Sequence, residues 1–205
     1  MADLVQICNM ALALLGQPRI TDFDDTTNVN AGYCRSYMDT ARDSVLEDHA
    51  WPFATKRVLL QLHSETPIYE YDYQYTLPSD FIAVQDLNDS DIEYAIEMDA
   101  TGAQKVLLCG EGEDLYLRYT FRNQLPGMWS PMFCEALSCK LAIYLCGNLS
   151  SGSANKLELM AKFYDIALAK AKRSQGKQGY RPQKDESSWI TARNTSTATD
   201  TESTA

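Results

Sequence analysis

Residues 69–77, with the sequence YEYDYQYTL, alternate an aromatic or apolar residue with a polar one. Successive side chains of a β-strand point to opposite faces of the sheet, so this two-residue period predicts a half-buried strand. An aromatic row of this kind suits a packed sheet face, but it could also serve as a stacking platform for sugars or bases. Packing in the core is the interpretation that we favour. The residues of the row are Tyr69, Tyr71, Tyr73, Tyr75 and Leu77.

Three more runs that are typical of strands follow this stretch. Residues 92–98 and 115–121 alternate between apolar and polar side chains, and residues 106–109 are continuously apolar. The glycine-rich residues 110–114, GEGED, predict a hairpin turn between the last two runs. Because the connections are short, the strands are expected to pair antiparallel.

On both sides of this region the apolar residues recur every three or four positions, which is the period of an amphipathic helix. Four helices are predicted, over residues 4–15, 28–47, 133–146 and 157–175. The segment between the second helix and the strands begins with Trp51-Pro52-Phe53, a turn whose aromatic rings can anchor it to the core. The rest of that segment is ambiguous. The apolar face of the fourth helix is predicted to consist of Leu157, Ala161, Tyr164, Leu168 and Ala171.

This order of elements predicts an α+β fold, in which a bundle of about four helices carries an inserted antiparallel β-sheet and an extended C-terminal tail. The bundle is expected to comprise residues 1–62 and 126–175, and the β subdomain residues 63–125. Residues 176–205 are polar and lack apolar periodicity, so that alone they should be disordered.

The chain of 205 residues has 18 basic and 28 acidic residues, a net charge of −10. Residues 61–125 alone contain 13 acidic and 3 basic residues, so the predicted sheet should present a negative face. Its outward carboxylates would include those of Glu70, Asp72, Glu93 and Glu97. Such a charge argues against a protein whose main task is to grip nucleic acid.

The six cysteines include no C-x-x-C pair, which favours buried thiols in a reducing compartment over a disulfide framework.

The N-terminal residues contain an acidic residue and no basic one before their apolar stretch, so no signal peptide is expected. The longest uninterrupted apolar runs have six residues, far fewer than the ~20 that cross a bilayer. No membrane span is therefore predicted.

Catalytic and metal-binding patterns are weak. His49 and His63, the two histidines, have no nucleophile motif beside them, and no phosphate-binding or dinucleotide fingerprint occurs. On a helix, Cys139 and Cys146 would share a face, but Cys134 would lie ~140° away, so the three could not bind one zinc ion. No cofactor is expected. The acidic residues Asp22, Asp24 and Asp25 loosely resemble a calcium loop that lacks its glycine, and an acidic helix start is the simpler interpretation.

A basic run lies between Lys170 and Lys184. It could be the solvated end of a helix, or it could dock on an acidic partner or on phosphates, and the sequence does not separate these alternatives. The pair Trp189-Ile190 stands out in an otherwise polar tail. Aromatic anchors in such segments are common at protein interfaces.

Five segments, in this order, resemble a known family: ICNMALALLGQPRI (7–20), YCRSYMDTARDSVLEDHAWPFATKR (33–57), YTLPSDFIAV (75–84), FCEALSCKLAIYLCGNL (133–149) and SSWITAR (187–193). Together they resemble the tail tubular protein A, or head-to-tail adaptor (connector), family of short-tailed bacteriophages. The match spans most of residues 4–193.

The resemblance implies a non-enzymatic structural protein of the virion tail, assembled in the cytoplasm of the bacterial host. Such adaptors form a homo-oligomeric ring, typically of twelve copies, between the portal protein and the tail nozzle (tail tubular protein B), with possible contacts to tail fibres. The viral genome passes through the ring without sequence-specific binding. Twelve chains of this charge would carry roughly −120, and a negative lumen would let DNA slide. Portal binding by the C-terminal tail would fall to Arg181, Trp189, Ile190 and Arg193.

Two other classes of function stay open. The carboxylates and aromatic residues of 69–99 could belong to a virion-associated glycan hydrolase, with Glu70, Asp72, Glu93 and Glu97 as the candidate acids. Alternatively, the basic run of residues 170–184 could bind nucleic acid, which predicts salt-dependent retention of DNA.

Overall fold

The computed structural model describes residues 3–88, 91–110, 112, 114–150 and 154–176. Residues Met1–Lys172 form one compact unit, and the described part of the second unit, Arg173–Ala205, is residues 173–176. The fold is α+β, as predicted. The helices are α1 (Leu4–Leu15), α2 (Val29–Glu47), α3 (Pro131–Leu149) and α4 (Ala154–Gly176). The strands are β1 (Thr55–Leu59), β2 (Gln61–Leu62), β3 (Tyr73–Thr76), β4 (Phe81–Leu87), β5 (Tyr94–Met98), β6 (Lys105–Cys109) and β7 (Tyr116–Phe121).

Local sequence signals define the ends of the first two helices. Gly16 ends α1 in the left-handed conformation, with φ of 71°, and its N–H bonds back to the last turn. The side chain of Asn28 caps α2 by accepting hydrogen bonds from the N–H groups of Asn30 and Ala31. Both ends agree with the prediction from sequence.

Helix α3 lies at the centre of the helical core and packs against both α1 and α2. Ten of its 19 residues are buried, on all sides of the helix. Among the described residues it is the one helix long and apolar enough to cross a membrane, but a core helix of a globular protein meets the same criterion. Because α3 is surrounded by helices of its own chain, its apolar character is explained by packing.

Asp48, at the end of α2, connects the helices on one side of the core. Its carboxylate accepts a hydrogen bond from the hydroxyl of Tyr164 on α4, and the Nζ of Lys140 on α3 lies 3.5 Å away. Burial and the neighbouring Asp48 carboxylate raise the pKa of Tyr164, so this hydroxyl remains a donor at physiological pH.

The strands form two antiparallel sheets, where the sequence predicted one. The first has the order β1-β7-β4, and the second has the order β2-β3-β6-β5. Both sheets contribute to one hydrophobic core, which includes Tyr75 and Leu107 from the second sheet and Leu117 and Tyr119 from the first. After the exposed Lys105, strand β6 is apolar, and Val106 to Cys109 are buried on both of its faces.

The predicted row of tyrosines is only partly a strand. Strand β3 begins at Tyr73, and Glu70 has a φ of 73° with a hydrogen bond from the N–H of Tyr71 to the carbonyl of Tyr69, which is a γ-turn. Because of this turn, residues 69–72 do not continue the extended conformation of β3, and the two-residue alternation does not hold for them. Tyr75 is buried, but Tyr69 is 79% exposed, so the prediction that the whole row packs in the core was wrong.

Two other expectations are corrected by the sheet topology. Residues 110–114 do not form a hairpin, because β6 pairs with β3 and β5 whereas β7 pairs with β1 and β4. The segment therefore connects the two sheets, and Gly112 lies so close to the ring of Tyr73 that a β-carbon would overlap with it. The bundle boundary at residue 62 was also wrong, because β1 and β2 belong to the sheets.

Candidate interaction surface

Helix α4 carries two apolar stripes, of which only one is buried. The inward stripe consists of Met160, Tyr164, Ala167 and Ala171, so the predicted inward positions of Tyr164 and Ala171 are confirmed. The prediction for Leu157 was wrong, because this side chain is 45% exposed. The second stripe, which we call the α4 stripe, consists of Leu159, Phe163 and Ile166, which are exposed by 46%, 38% and 52%.

An open groove of about 470 Å³ borders the α4 stripe. Phe163 and Ile166 line it from α4, Met10 and Leu14 from α1, and Cys139 from α3. At its rim, the Nζ of Lys170 lies 3.6 Å from the carboxylate of Glu135, which accounts for one cation of the basic run. Apart from this ion pair and Ser138, the walls are apolar, so the groove is suited to an apolar partner surface rather than to a charged ligand.

The α4 stripe was not predicted, although the sequence contains a signal for it. Leu159, Phe163 and Ile166 are spaced by four and three residues, which is the helical period. The same spacing describes a buried face equally well. The tertiary structure decides between the two: α1 and α3 form the other walls of the groove but do not cover this stripe, so it stays exposed.

The residues predicted to bind a portal, Arg181, Trp189, Ile190 and Arg193, lie outside the described residues, as does the predicted tail from residue 177 onward. Of the basic run, Lys170, Lys172 and Arg173 are described and exposed. Whether the run docks on a partner stays an open prediction.

The four candidate carboxylates of the alternative hydrolase are all exposed, as predicted. The structure brings two of them together: Glu70 and Glu97 line one pocket with Tyr69 and Tyr71, whereas Asp72 and Glu93 are not among its lining residues. Its volume is about 140 Å³, well below the ~300–1,000 Å³ that is usual for ligand sites. The pocket thus offers little space for a saccharide chain.

The histidines have structural surroundings. The Nδ1 of His63 accepts a hydrogen bond from the N–H of Glu65 at 3.2 Å and lies 2.9 Å from the Nε2 of Gln74, so it holds the segment that precedes β3. The ring of His49 packs edge-on against Trp51, with centroids 5.1 Å apart.

The loop before α2 uses two of its carboxylates, those of Asp22 and Asp25, within the chain. Asp22 accepts a hydrogen bond from the N–H of Asp24, and Asp25 accepts two from Thr27, which lower the pKa of Asp25. Arg35 donates to the carbonyls of Phe23 and Asp25. These bonds explain the acidic cluster as turn chemistry.

All six cysteines are buried and unbridged, as the sequence predicted. Cys8 on α1 and Cys34 on α2 are neighbours, and their mutual hydrogen bond together with burial raises the pKa of Cys8. Among the described residues, no group of three or more histidine, cysteine or acidic side chains is placed to hold a metal ion.

Asp80 links the strands of the first sheet. Its carboxylate lies 2.7 Å from the Nζ of Lys56 on β1 and accepts a hydrogen bond from the hydroxyl of Tyr119 on β7 at 3.0 Å. Burial of the ring, followed by the hydrogen bond to the Asp80 carboxylate, raises the pKa of Tyr119 to about 12.

We expect this tyrosine to make the stability of the protein fall in alkali. Between about pH 10 and pH 12, the unfolded chain loses the Tyr119 proton while the folded chain retains it, so the free energy of unfolding decreases as the pH rises. Tyr119→Phe should reduce this decrease. Urea unfolding of both proteins across that range measures the effect, and identical slopes would contradict it.

Comparison with protein-family models finds no match for this chain, and comparison with curated proteins finds no significant match.

Proposed function

We propose that this chain is a head-to-tail adaptor of a short-tailed bacteriophage. It would form a ring between portal and tail nozzle, through which the genome passes. Its mechanism would be binding rather than turnover: apolar surfaces join neighbouring copies and the C-terminal tail docks on the portal.

The segments that resemble the adaptor family support this proposal because most of them meet in one core. Those at 7–20, 33–57 and 133–149 contribute α1, α2 and α3, which pack together. Trp51, from the second of these segments, stacks edge-on against Phe133, from the third, with ring centroids 5.1 Å apart. The three segments that resemble the adaptor family therefore belong to one packed helical unit, which supports treating their resemblance as a single feature.

The observation that carries the proposal is the open apolar groove beside the α4 stripe. Exposed side chains of this size in a contiguous apolar surface typically mark sites of association. Burying the exposed parts of Phe163 and Ile166 would contribute about 1 kcal/mol each. We assign this surface to contact with a neighbouring copy, because a chain with a net charge of −10 repels its own copies unless apolar contacts offset the repulsion.

The charge of the sheets fits passage of DNA. Glu70, Asp72, Glu93 and Glu97 are all exposed. In a ring with such surfaces facing the lumen, the carboxylates would repel the DNA phosphates, so the genome would not bind to the wall as it passes.

The double substitution Phe163→Asp and Ile166→Asp is expected to abolish assembly. Two carboxylates in the groove would remain solvated only if the neighbouring copy stayed away. Both side chains are about half exposed, so the double variant should lose only about 1–2 kcal/mol of folding stability and stay folded. Sedimentation velocity measures assembly and urea unfolding measures folding.

Leu157→Asp is the matched control, because Leu157 is similarly exposed on the same helix but points about 150° away from the α4 stripe. It should assemble like the parent chain. Equal assembly of all three proteins would exclude the groove as a contact between copies.

The proposed function itself is tested by mixing the purified chain with purified portal and nozzle proteins of the same phage. Electron microscopy should reveal rings seated between the two. If the chain stays separate from both partners at every concentration, the adaptor proposal is wrong.

The hydrolase alternative makes a different prediction. It requires release of sugars from host surface polysaccharides, and Glu70→Gln and Glu97→Gln should each abolish that release, because these two carboxylates share a pocket. The adaptor proposal predicts no release by any of the three proteins.

A further inference from the structure

Each sheet ends in two edge strands, and one edge of each is long and open among the described residues. In the first sheet β4 is interrupted by two register irregularities, which leaves β1 as the regular edge. In the second sheet β2 has only two residues, which leaves β5 as the long edge. Edge strands present unpaired N–H and C=O groups that can pair with another chain.

The register identifies which backbone groups of β5 point outward. The N–H of Asp99 donates to the carbonyl of Gln104, so this opposed pair is a hydrogen-bonded one. Hydrogen-bonded and non-bonded pairs alternate along an antiparallel ladder. The N–H and C=O groups of Tyr94, Ile96 and Met98 therefore point away from β6. The side chains of these three residues are 42%, 40% and 50% exposed.

The same argument applies to β1. The N–H of Leu60 donates to the carbonyl of Leu115, so the N–H and C=O groups of Arg57 and Leu59 point away from β7. Both side chains are exposed, Leu59 by 38%.

The two edges are complementary in charge. Strand β1 contains two cations and no acidic residue: Arg57 is exposed, and Lys56, half-exposed, also pairs with Asp80. Strand β5 contains Glu97 and is flanked by Glu93 and Asp99. Neither edge is complementary to itself, because two copies of β5 would oppose carboxylates and two copies of β1 would oppose cations.

We infer that β5 of one copy pairs antiparallel with β1 of the next copy, so that the sheets continue from subunit to subunit. This inference rests on the proposed ring, and it names the backbone contact that closes it. One register opposes the outward-pointing backbone groups of the two strands and also places unlike charges together. In it, Tyr94 opposes Leu59, Ile96 opposes Arg57, and Glu97 opposes Lys56. Two different surfaces meeting head to tail are what a closed ring requires, whereas a contact between identical surfaces stops at a dimer.

Proline substitutions test the pairing at each edge. Because the N–H groups of Ile96 and Arg57 point outward, Ile96→Pro and Arg57→Pro remove no ladder hydrogen bond within either described sheet, but each removes one from the new ladder and blocks its edge. Each variant alone should fail to form rings with or without portal. Ile96→Ala, which keeps its N–H, is the control and should assemble.

Mixing the two proline variants gives a sharper result. Ile96→Pro retains an intact β1 edge and Arg57→Pro retains an intact β5 edge, so one junction can form between them. The mixture should stop at dimers, whereas each variant alone stays monomeric. Rings from either proline variant, at the parent chain's concentration, would overturn the inference while leaving the adaptor function intact. The inference also fails if Ile96→Pro forms rings but no longer binds the nozzle, since the edge then serves another partner.

Disulfide trapping does not depend on the proline variants folding. With Leu59→Cys and Tyr94→Cys in one chain, the opposed Cα atoms would be about 5.5 Å apart, within disulfide range, and mild oxidation should give a ladder of linked copies. The six native cysteines are buried. Tyr116→Cys with Tyr94→Cys is the control, because Tyr116 lies beside Leu59 one strand further from the edge, about 4.8 Å away, and should not cross-link. Two results would contradict the pairing. One is equal cross-linking by the test pair and the control pair. The other is a chain with Leu59→Cys and Tyr94→Cys that forms normal rings but does not cross-link.

Discussion

Replacing Trp51 with alanine is expected to lower the free energy of unfolding by about 3–5 kcal/mol. The indole is fully buried where α2 ends, and its ring contacts those of Phe133 and Phe53, with centroids 5.1 Å and 5.9 Å away. Its Nε1 donates a hydrogen bond to the carbonyl of Val45 at 2.8 Å. Alanine would leave a cavity between α2 and α3 and remove this bond, and both losses are large in a close-packed core.

Urea unfolding followed by far-ultraviolet circular dichroism measures the loss. Trp51→Phe is the control, because it retains most of the buried area and removes the hydrogen bond, so it should cost less than the alanine substitution. A loss below about 1 kcal/mol for Trp51→Ala would show that the helical core does not depend on this turn.

A chain that ends at Gly176 is expected to lose at least about 100-fold in affinity for the portal, while the unit of residues 1–172 unfolds at an unchanged temperature. The reason is that a polar tail that orders on its partner places its binding energy in few aromatic anchors. Trp189→Ala alone should cost about 2–4 kcal/mol, which is roughly a 30- to 1,000-fold loss. Biolayer interferometry on immobilised portal measures both.

A chain that ends at Arg193 is the matched control. It removes twelve residues, 194–205, that are outside the segments resembling the adaptor family, and it should bind like the full chain. Equal portal binding by the chain ending at Gly176 would refute docking through the tail. Parallel losses in both truncated chains would assign the contact to the last twelve residues instead.

The helices could be predicted because their signals are local. The three-to-four-residue period, the glycine after α1 and the asparagine before α2 act within a few residues of one another. The inward face of α4 was only partly predicted, because Leu157 and Ala161 have the helical period but lie less deeply than Met160 and Ala167. Periodicity identifies an amphipathic helix, but the neighbours determine which stripe they cover.

The sheets could be predicted only in part. Strands β1 and β4 were missed, since TKRVL and FIAVQDL lack a clear two-residue alternation. The false hairpin at residues 110–114 has a physical reason as well. A short glycine-rich connection allows antiparallel pairing, but the choice between that pairing and a change of sheet depends on which strands are already neighbours.

The sequence by itself determined the α+β class, four helices, buried thiols and an acidic middle region, because each depends on composition or on periods within one segment. Only the tertiary structure decided that the strands divide into two sheets, that Glu70 and Glu97 share a pocket, and that the α4 stripe borders an open groove. These features place residues beside others that are 20 to more than 150 positions away, such as Met10 beside Ile166, and local signals cannot encode which of several apolar surfaces is left without a partner.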